Sequence, residues 1–256
     1  MIIPLDHAAT TPLAPEALAA MLPWLQTSHD NPASDHAGGR QARAAVETAR
    51  AQVASLVGAA AADIIWTSGA TESINLALKG ALEFRGVARG HIVSSRVEHK
   101  ATLDTLRWLE RQGHRVTLLT PDAGGHVTPE QVLAALTPDT VLVSLMWVNN
   151  EIGVVNPIEA LAPRLRERGV LFHVDAAQAA AWLPIDLSVL PVDLLSLSAH
   201  RGQAPIVPPS VLGDGAGALG MAFGIACALV DARATGRGRV VDAAIVDIVA
   251  MLGTLV

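Results

Sequence analysis

The sequence is short of cysteine, lysine and aromatic side chains. One cysteine, Cys227, in 256 residues excludes an intramolecular disulfide framework and any metal site built from clustered cysteines. Lys79 and Lys100 are the only lysines among 18 basic residues, so a reaction that needs a lysine amine has two places to find one. Tyrosine is missing altogether. The net charge of −6 gives no electrostatic reason to expect a nucleic-acid partner. The amino-terminal stretch MIIPLDHAATTPLAPE has neither a basic start nor a long apolar run, and so does not read as a signal peptide. The longest uncharged run, between Asp214 and Asp231, holds 16 residues including four glycines. A membrane span needs about 18–20 mostly apolar residues. A cytoplasmic protein with no membrane partner is the expectation.

Hydrophobic residues make up 51% of the chain, enough to fill a core and to exclude disorder. Short apolar runs alternate with helical patterns through the first two hundred residues. Strands are predicted at 63–67 (DIIWT), 91–95 (HIVSS), 115–119 (RVTLL), 141–146 (VLVSLM), 170–174 (VLFHV) and 193–198 (DLLSLS). Helices are predicted at 15–25, 39–57, 73–84, 102–112, 129–136 and 158–168, from apolar residues three and four apart. Strands recurring about every 25 residues, with helices between them, predict an α/β fold with a mostly parallel, doubly wound sheet. Past Arg201 the rhythm stops. A proline-rich connector, QAPIVPP, leads into a Gly/Ala-rich apolar segment and a Gly-Arg turn. The expected organisation is therefore a domain over 1–201 and a helical tail of different character over 202–256.

Ligands of open α/β sheets bind outside the carboxyl ends of the strands, so the strand-to-helix junctions are where chemistry is expected. At Ser68-Gly69-Ala70-Thr71-Glu72, free backbone N–H groups and the Thr71 hydroxyl could cradle a phosphate. On the motif alone the same residues read more simply as an ordinary helix cap. Asp175 closes the apolar strand in HVDAAQ, where an ionised carboxylate needs a cation; the alternative is a capping aspartate. Glu98-His99, Asn149-Asn150-Glu151 and Ser198-Ala199-His200 follow three further strands. Five polar clusters at successive carboxyl ends describe a site for an anionic, aromatic, hydrogen-bonding cofactor.

The segments LDHAATTP, NPASDHAGGR, TSGATESINLALKG, EHKATLDT, VNNEIGVVNPI, FHVDAAQ and SLSAH closely resemble the cysteine desulfurases. These are pyridoxal-phosphate enzymes of the class-V aminotransferase fold, whose large domain has the fold-type I sheet. The resemblance runs over residues 1–200 in order. It implies pyridoxal 5′-phosphate as cofactor, L-cysteine as substrate, alanine as product, a homodimer and a sulfur-acceptor protein. By resemblance Ala70 and Thr71 hold the cofactor phosphate, with Ser198 and His200. His99 stacks on the ring and takes part in proton transfer, Asp175 pairs with the ring nitrogen, and Asn150 and Gln178 contact the ring and its phenolic oxygen. No metal is implied.

Departures from the family accompany the match. Arg201 stands where the family carries its Schiff-base lysine, and a guanidinium is not a competent amine nucleophile. The family's usual small domain and its sulfur-accepting cysteine are not expected in residues 202–256; Cys227, in GMAFGIACALV, reads as a buried inert thiol. The expectation is a catalytically impaired desulfurase-like protein that binds its cofactor non-covalently, if at all. A non-catalytic binding or dimerisation module is the alternative. The tail, VLGDGAGALGMAFGIACALVDARATGRGRVVDAAIVD, is similar to a segment of the alpha-methylacyl-CoA racemases and family III CoA-transferases. That family's catalytic aspartate would fall on Asp214, which reads more simply as a turn residue before Gly215. A racemase or transferase fragment is thus a third reading.

Overall fold

The computed structural model describes residues 13–28, 30–180 and 182–198. Five of the six predicted strands form, as β1 (His91–Ser95), β2 (Arg115–Leu119), β3 (Thr140–Met146), β4 (Leu171–Asp175) and β5 (Leu194–Ser196). They make one parallel sheet in the order β2-β1-β3-β4-β5. All six predicted helices form: α1 (Pro15–Gln26), α2 (Ala37–Val57), α3 (Ala70–Phe84), α4 (Lys100–Arg111), α5 (Pro129–Ala135) and α6 (Ile158–Arg166).

The described residues divide into two compact units, one of 57–59 and 69–198 and one of 13–56 and 60–68. In the first, alternation along the strands sends neighbouring side chains to opposite faces of the sheet. Ile92 and Leu142 pack with Ile74, Leu78 and Leu82 of α3 and with Leu106 and Leu109 of α4. Val93 and Val143, one residue further along, pack instead with Val132 of α5 and with Ile158, Leu161 and Leu165 of α6. Helices therefore cover both faces. The central strands β1 and β3 are buried along their whole length, including the polar residues His91, Ser94, Ser95, Thr140 and Ser144 set among their apolar ones.

In the second unit, α2 buries a line of small residues, Ala42, Ala49 and Ala54. The chain entering it is tied down by Arg43, which donates to the Pro32 and Ser34 carbonyls at 2.9 and 3.0 Å. A side chain on Gly39 would run into the Ser34 carbonyl, so only glycine fits there.

The predicted strand at 63–67 does not form. Ala61–Asp63 is a turn of 3-10 helix, and the residues after it have no regular structure. DIIWT has strand composition, but a strand exists only by pairing, and no described strand runs beside it. The Arg50 guanidinium takes the place of a ladder, donating to the Ile64 carbonyl and lying 5.6 Å from the Trp66 ring centroid. Ile65 is left 72% exposed.

Candidate functional site

The strand order reverses at β1, whose successor β2 lies on one side and β3 on the other. Such a switch point is where open α/β sheets open a crevice. Here the ladder between β1 and β3 stops at Val93–Val143. The flanking ladders run on, to Ser95–Leu119 and to Met146–Asp175. The two central strands part before their carboxyl ends, and side chains span the gap. Ser94 Oγ donates to the Ser144 carbonyl at 2.8 Å, the Met146 N–H donates to Glu98 Oε1 at 2.9 Å, and Asn149 Nδ2 donates to the Val97 carbonyl at 3.0 Å.

His99 caps α4. Its Nδ1 accepts the Ala101 N–H at 3.1 Å, so Nε2 is the nitrogen left for other work, and the ring is exposed. Asp175 ends β4 and is buried. One of its carboxylate oxygens accepts the Ala177 N–H at 3.0 Å, and no described residue forms an ion pair with it. Burial raises its pKa, opposed by that N–H and by His99. The Asp175 carbonyl accepts the Trp147 N–H at 2.9 Å, which joins the ends of β3 and β4. The residues after β4 turn rather than form a regular helix, so Gln178 sits in a turn and is half-buried. Asp175 is thus a local turn acceptor with no ion-pair partner among the described residues.

The amino terminus of α3 comes to the same end of the sheet. Its cap residue is Gly69, which has no side chain to satisfy the first turn, and a Cβ there would meet nothing within 4 Å. Ala70 is half-buried and Thr71 exposed in that first turn. Ser73 fixes the turn to the sheet through Ser196 Oγ at 2.8 Å. Beneath it runs a polar row that the sequence did not reveal. Ser196 Oγ meets His173 Nε2 at 2.9 Å, and His173 Nδ1 meets Ser144 Oγ at 2.9 Å. These residues are buried and share the α3 face of the sheet. Burial holds the His173 imidazole down to about 3, so it is neutral.

Asn149 builds the loop between β3 and α6. It is buried, and its Oδ1 accepts the N–H groups of Glu151 and Ile152 at 2.9 and 3.0 Å. Gly153, at φ +70°, closes the loop by donating to the Asn149 carbonyl at 3.0 Å. Asn150 is half-buried and its Nδ2 donates to Glu151 Oε1 at 2.6 Å. Ser198 is half-buried, two residues beyond β5. His200, Arg201, Asp214 and Cys227 lie outside the described residues. Both lysines are engaged elsewhere: Lys79 Nζ lies 4.5 Å from the Trp108 ring centroid, and Lys100 pairs with Asp104. Among the described residues no cluster of His, Cys, Asp or Glu is arranged to hold a metal, and no helix is long and apolar enough to cross a membrane.

The carboxyl ends of the strands thus carry a buried carboxyl with no ion-pair partner among the described residues, an exposed imidazole, amide side chains and a helix start capped by glycine. This donor set fits a phosphorylated aromatic ring with a basic nitrogen.

Comparison with known proteins identifies the family. Residues 3–206 match the aminotransferase class-V family, and residues 192–255 match CoA-transferase family III. The cysteine desulfurase IscS of Methylobacillus flagellatus is 53% identical over 203 residues, covering 78% of this chain and 50% of that protein. The solved structure of SspA in complex with cysteine superposes with a TM-score of 0.75 at 41% identity, covering 78% of this chain and 58% of that one. A NifS-like protein superposes with a TM-score of 0.76 at 35% identity, covering 80% and 57%. The chain thus spans about half the length of the curated relatives it matches.

Proposed function

The chain belongs to the class-V aminotransferase family, and on that premise we propose that it is a cysteine-desulfurase-like protein that holds pyridoxal 5′-phosphate without a covalent link. The buried carboxyl of Asp175 carries this reading, because it lacks an ion-pair partner among the described residues and a protonated ring nitrogen would supply one. Bound there, pyridoxal phosphate supplies an electron sink for charge at the α-carbon of an amino acid. Asp175 keeps the ring nitrogen protonated. His99 offers its ring face, and its Nε2 accepts or returns a proton while Nδ1 remains on the Ala101 N–H. The N–H groups of Ala70 and Thr71 at the start of α3, with the Thr71 hydroxyl, take the phosphate, joined by Ser198 and His200 at the family's positions. Asn150 and Gln178 orient the ring through its phenolic oxygen.

L-cysteine is the ligand this site takes, as the complex of the relative SspA with cysteine supports. Desulfuration is expected to be impaired, because Arg201 occupies the position of the cofactor-linking lysine and stays protonated. Cys227, the one cysteine of these 256 residues, lies in an apolar run and is not a sulfur acceptor in this reading. A cytoplasmic homodimer and an acceptor protein for sulfur belong to the same reading. Residues 202–256 are a piece of different origin from 1–201, a division the family III match supports.

The test is the absorption spectrum of the protein with pyridoxal phosphate, before and after borohydride, for wild type and Arg201→Lys. Wild type should bind the cofactor without becoming reducible, and Arg201→Lys should gain a reducible band. Failure of both proteins to bind would refute the proposal and favour a non-catalytic module. Calorimetric binding of a CoA ester would instead support a role for Asp214.

A further inference from the structure

Glu98 stands at the gap between β1 and β3, and the chemistry just described gives it no task. It is 5% exposed. Oε1 accepts the Met146 N–H at 2.9 Å, while Oε2 is sealed from solvent with no hydrogen-bond partner among the described residues. A buried carboxylate needs a cation or several donors, and this one has a single N–H. Among the described residues, the titratable groups to consider around it are Asp175 and His99. The negative charge of Asp175, on the end of β4, acts on Glu98 directly, and His99, next along the chain at the cap of α4, acts on Asp175. Two buried carboxyls that act on each other do not both ionise readily, and surroundings that differ decide which keeps the proton.

We propose that Glu98 carries its proton through the neutral range and acts as a positioning residue: as a neutral acid it fastens the His99 loop to Met146 and leaves Asp175 as the single negative charge of the crevice. The part concerning Asp175 rests on the cofactor reading; the protonation of Glu98 does not. Burial also pushes the Glu98 carboxyl well above its ordinary value, in the direction the geometry requires. Glutamine has the shape of the neutral acid, offers an oxygen to the Met146 N–H, and has no proton to lose.

The experiment is urea unfolding of wild type and Glu98→Gln, without cofactor, from pH 4 to 9. Above the ordinary glutamate value of 4.5 the unfolded wild-type chain gains by ionising Glu98 and the folded chain does not. The unfolding equilibrium should therefore move in the variant's favour by about tenfold per pH unit until the folded carboxyl itself ionises. A gap that stays constant, or moves toward the wild type, overturns the proposal. If Glu98→Gln does not fold, infrared spectra of wild type carrying carboxyl-labelled glutamate decide. A labelled protonated-acid carbonyl band that persists at pH 7 upholds the proposal, and its absence overturns it. Titration with pyridoxal phosphate separates this inference from the cofactor reading. Uptake by wild type and Glu98→Gln, with uptake about ten- to a hundredfold weaker in Asp175→Asn, upholds the charge assignment. Loss in Glu98→Gln with normal uptake by Asp175→Asn overturns it. No uptake by wild type defeats the cofactor reading, while the pH profile still judges Glu98.

Discussion

His173 provides a sharp quantitative test of the polar row beneath α3. In the folded chain burial holds its imidazole down to about 3, against an ordinary 6.5. In the unfolded chain it titrates normally. A group whose folded pKa is depressed contributes stability that is complete above 6.5 and is lost as the pH falls toward 3. At about 1.4 kcal/mol per pH unit, that interval corresponds to about 5 kcal/mol, a large share of the 5–15 kcal/mol typical of a domain. His173→Gln keeps a donor and an acceptor in the row but has nothing to protonate. At pH 7 the variant should be less stable, by about 1–3 kcal/mol, for the lost fit between Ser144 and Ser196. On acidification that deficit should shrink and then reverse, moving by about 2–3 kcal/mol between pH 7 and pH 4.5. Urea unfolding at each pH measures it, and carboxylates elsewhere cancel in the difference between the two proteins. A deficit that does not change with pH would refute the reasoning, since it would mean that the imidazole accepts its proton inside the fold.

Two further substitutions address the crevice. Asp175→Asn removes the charge that pairs with the cofactor and should weaken pyridoxal-phosphate binding by about ten- to a hundredfold, the worth of a hydrogen bond to a charged group. Because burial raises the Asp175 pKa, the cofactor-free variant should also become more stable relative to wild type as the pH rises above 3.8; fluorescence titration and thermal unfolding check the two parts. Asn149→Ala deprives the Val97 carbonyl and the Glu151 and Ile152 N–H groups of their partner, and should cost about 2–4 kcal/mol in urea unfolding.

The sheet was legible because its strands are short apolar runs set between helical patterns, and a parallel strand buried on both faces has that texture. The segment 63–67 has the same texture and failed, because composition carries no information about whether a neighbour lies alongside. Polar residues at the strand ends were legible for a related reason: Asp175, His99 and Asn150 each follow an apolar run at a place where ligands gather. The row of Ser73, Ser144, His173 and Ser196 was not. Its members stand in different strands and a helix, and only the register that sets Ser144 opposite His173 brings them into line. Serines inside fully buried strands were the available signal, since a buried hydroxyl needs a partner. Glu98 was legible only as His99's neighbour in a polar junction, because its burial is decided by β3, nearly fifty residues on.

The order of the strands also bears on how the chain reaches its fold. β1 meets β2 across 24 residues, from His91 to Arg115, but meets β3 across 49, from His91 to Thr140. Doubling a loop adds only about 0.6 kcal/mol of closure entropy, so the cost of waiting is not thermodynamic. It is exposure. Until β3 arrives, one edge of β1, a strand of five residues buried in the finished sheet, stands open as a template for pairing with another chain. The docking of β3 ends that exposure, and the same step brings Met146 to Glu98. The strand that covers the open edge of β1 is thus the one that brings Glu98 its partner.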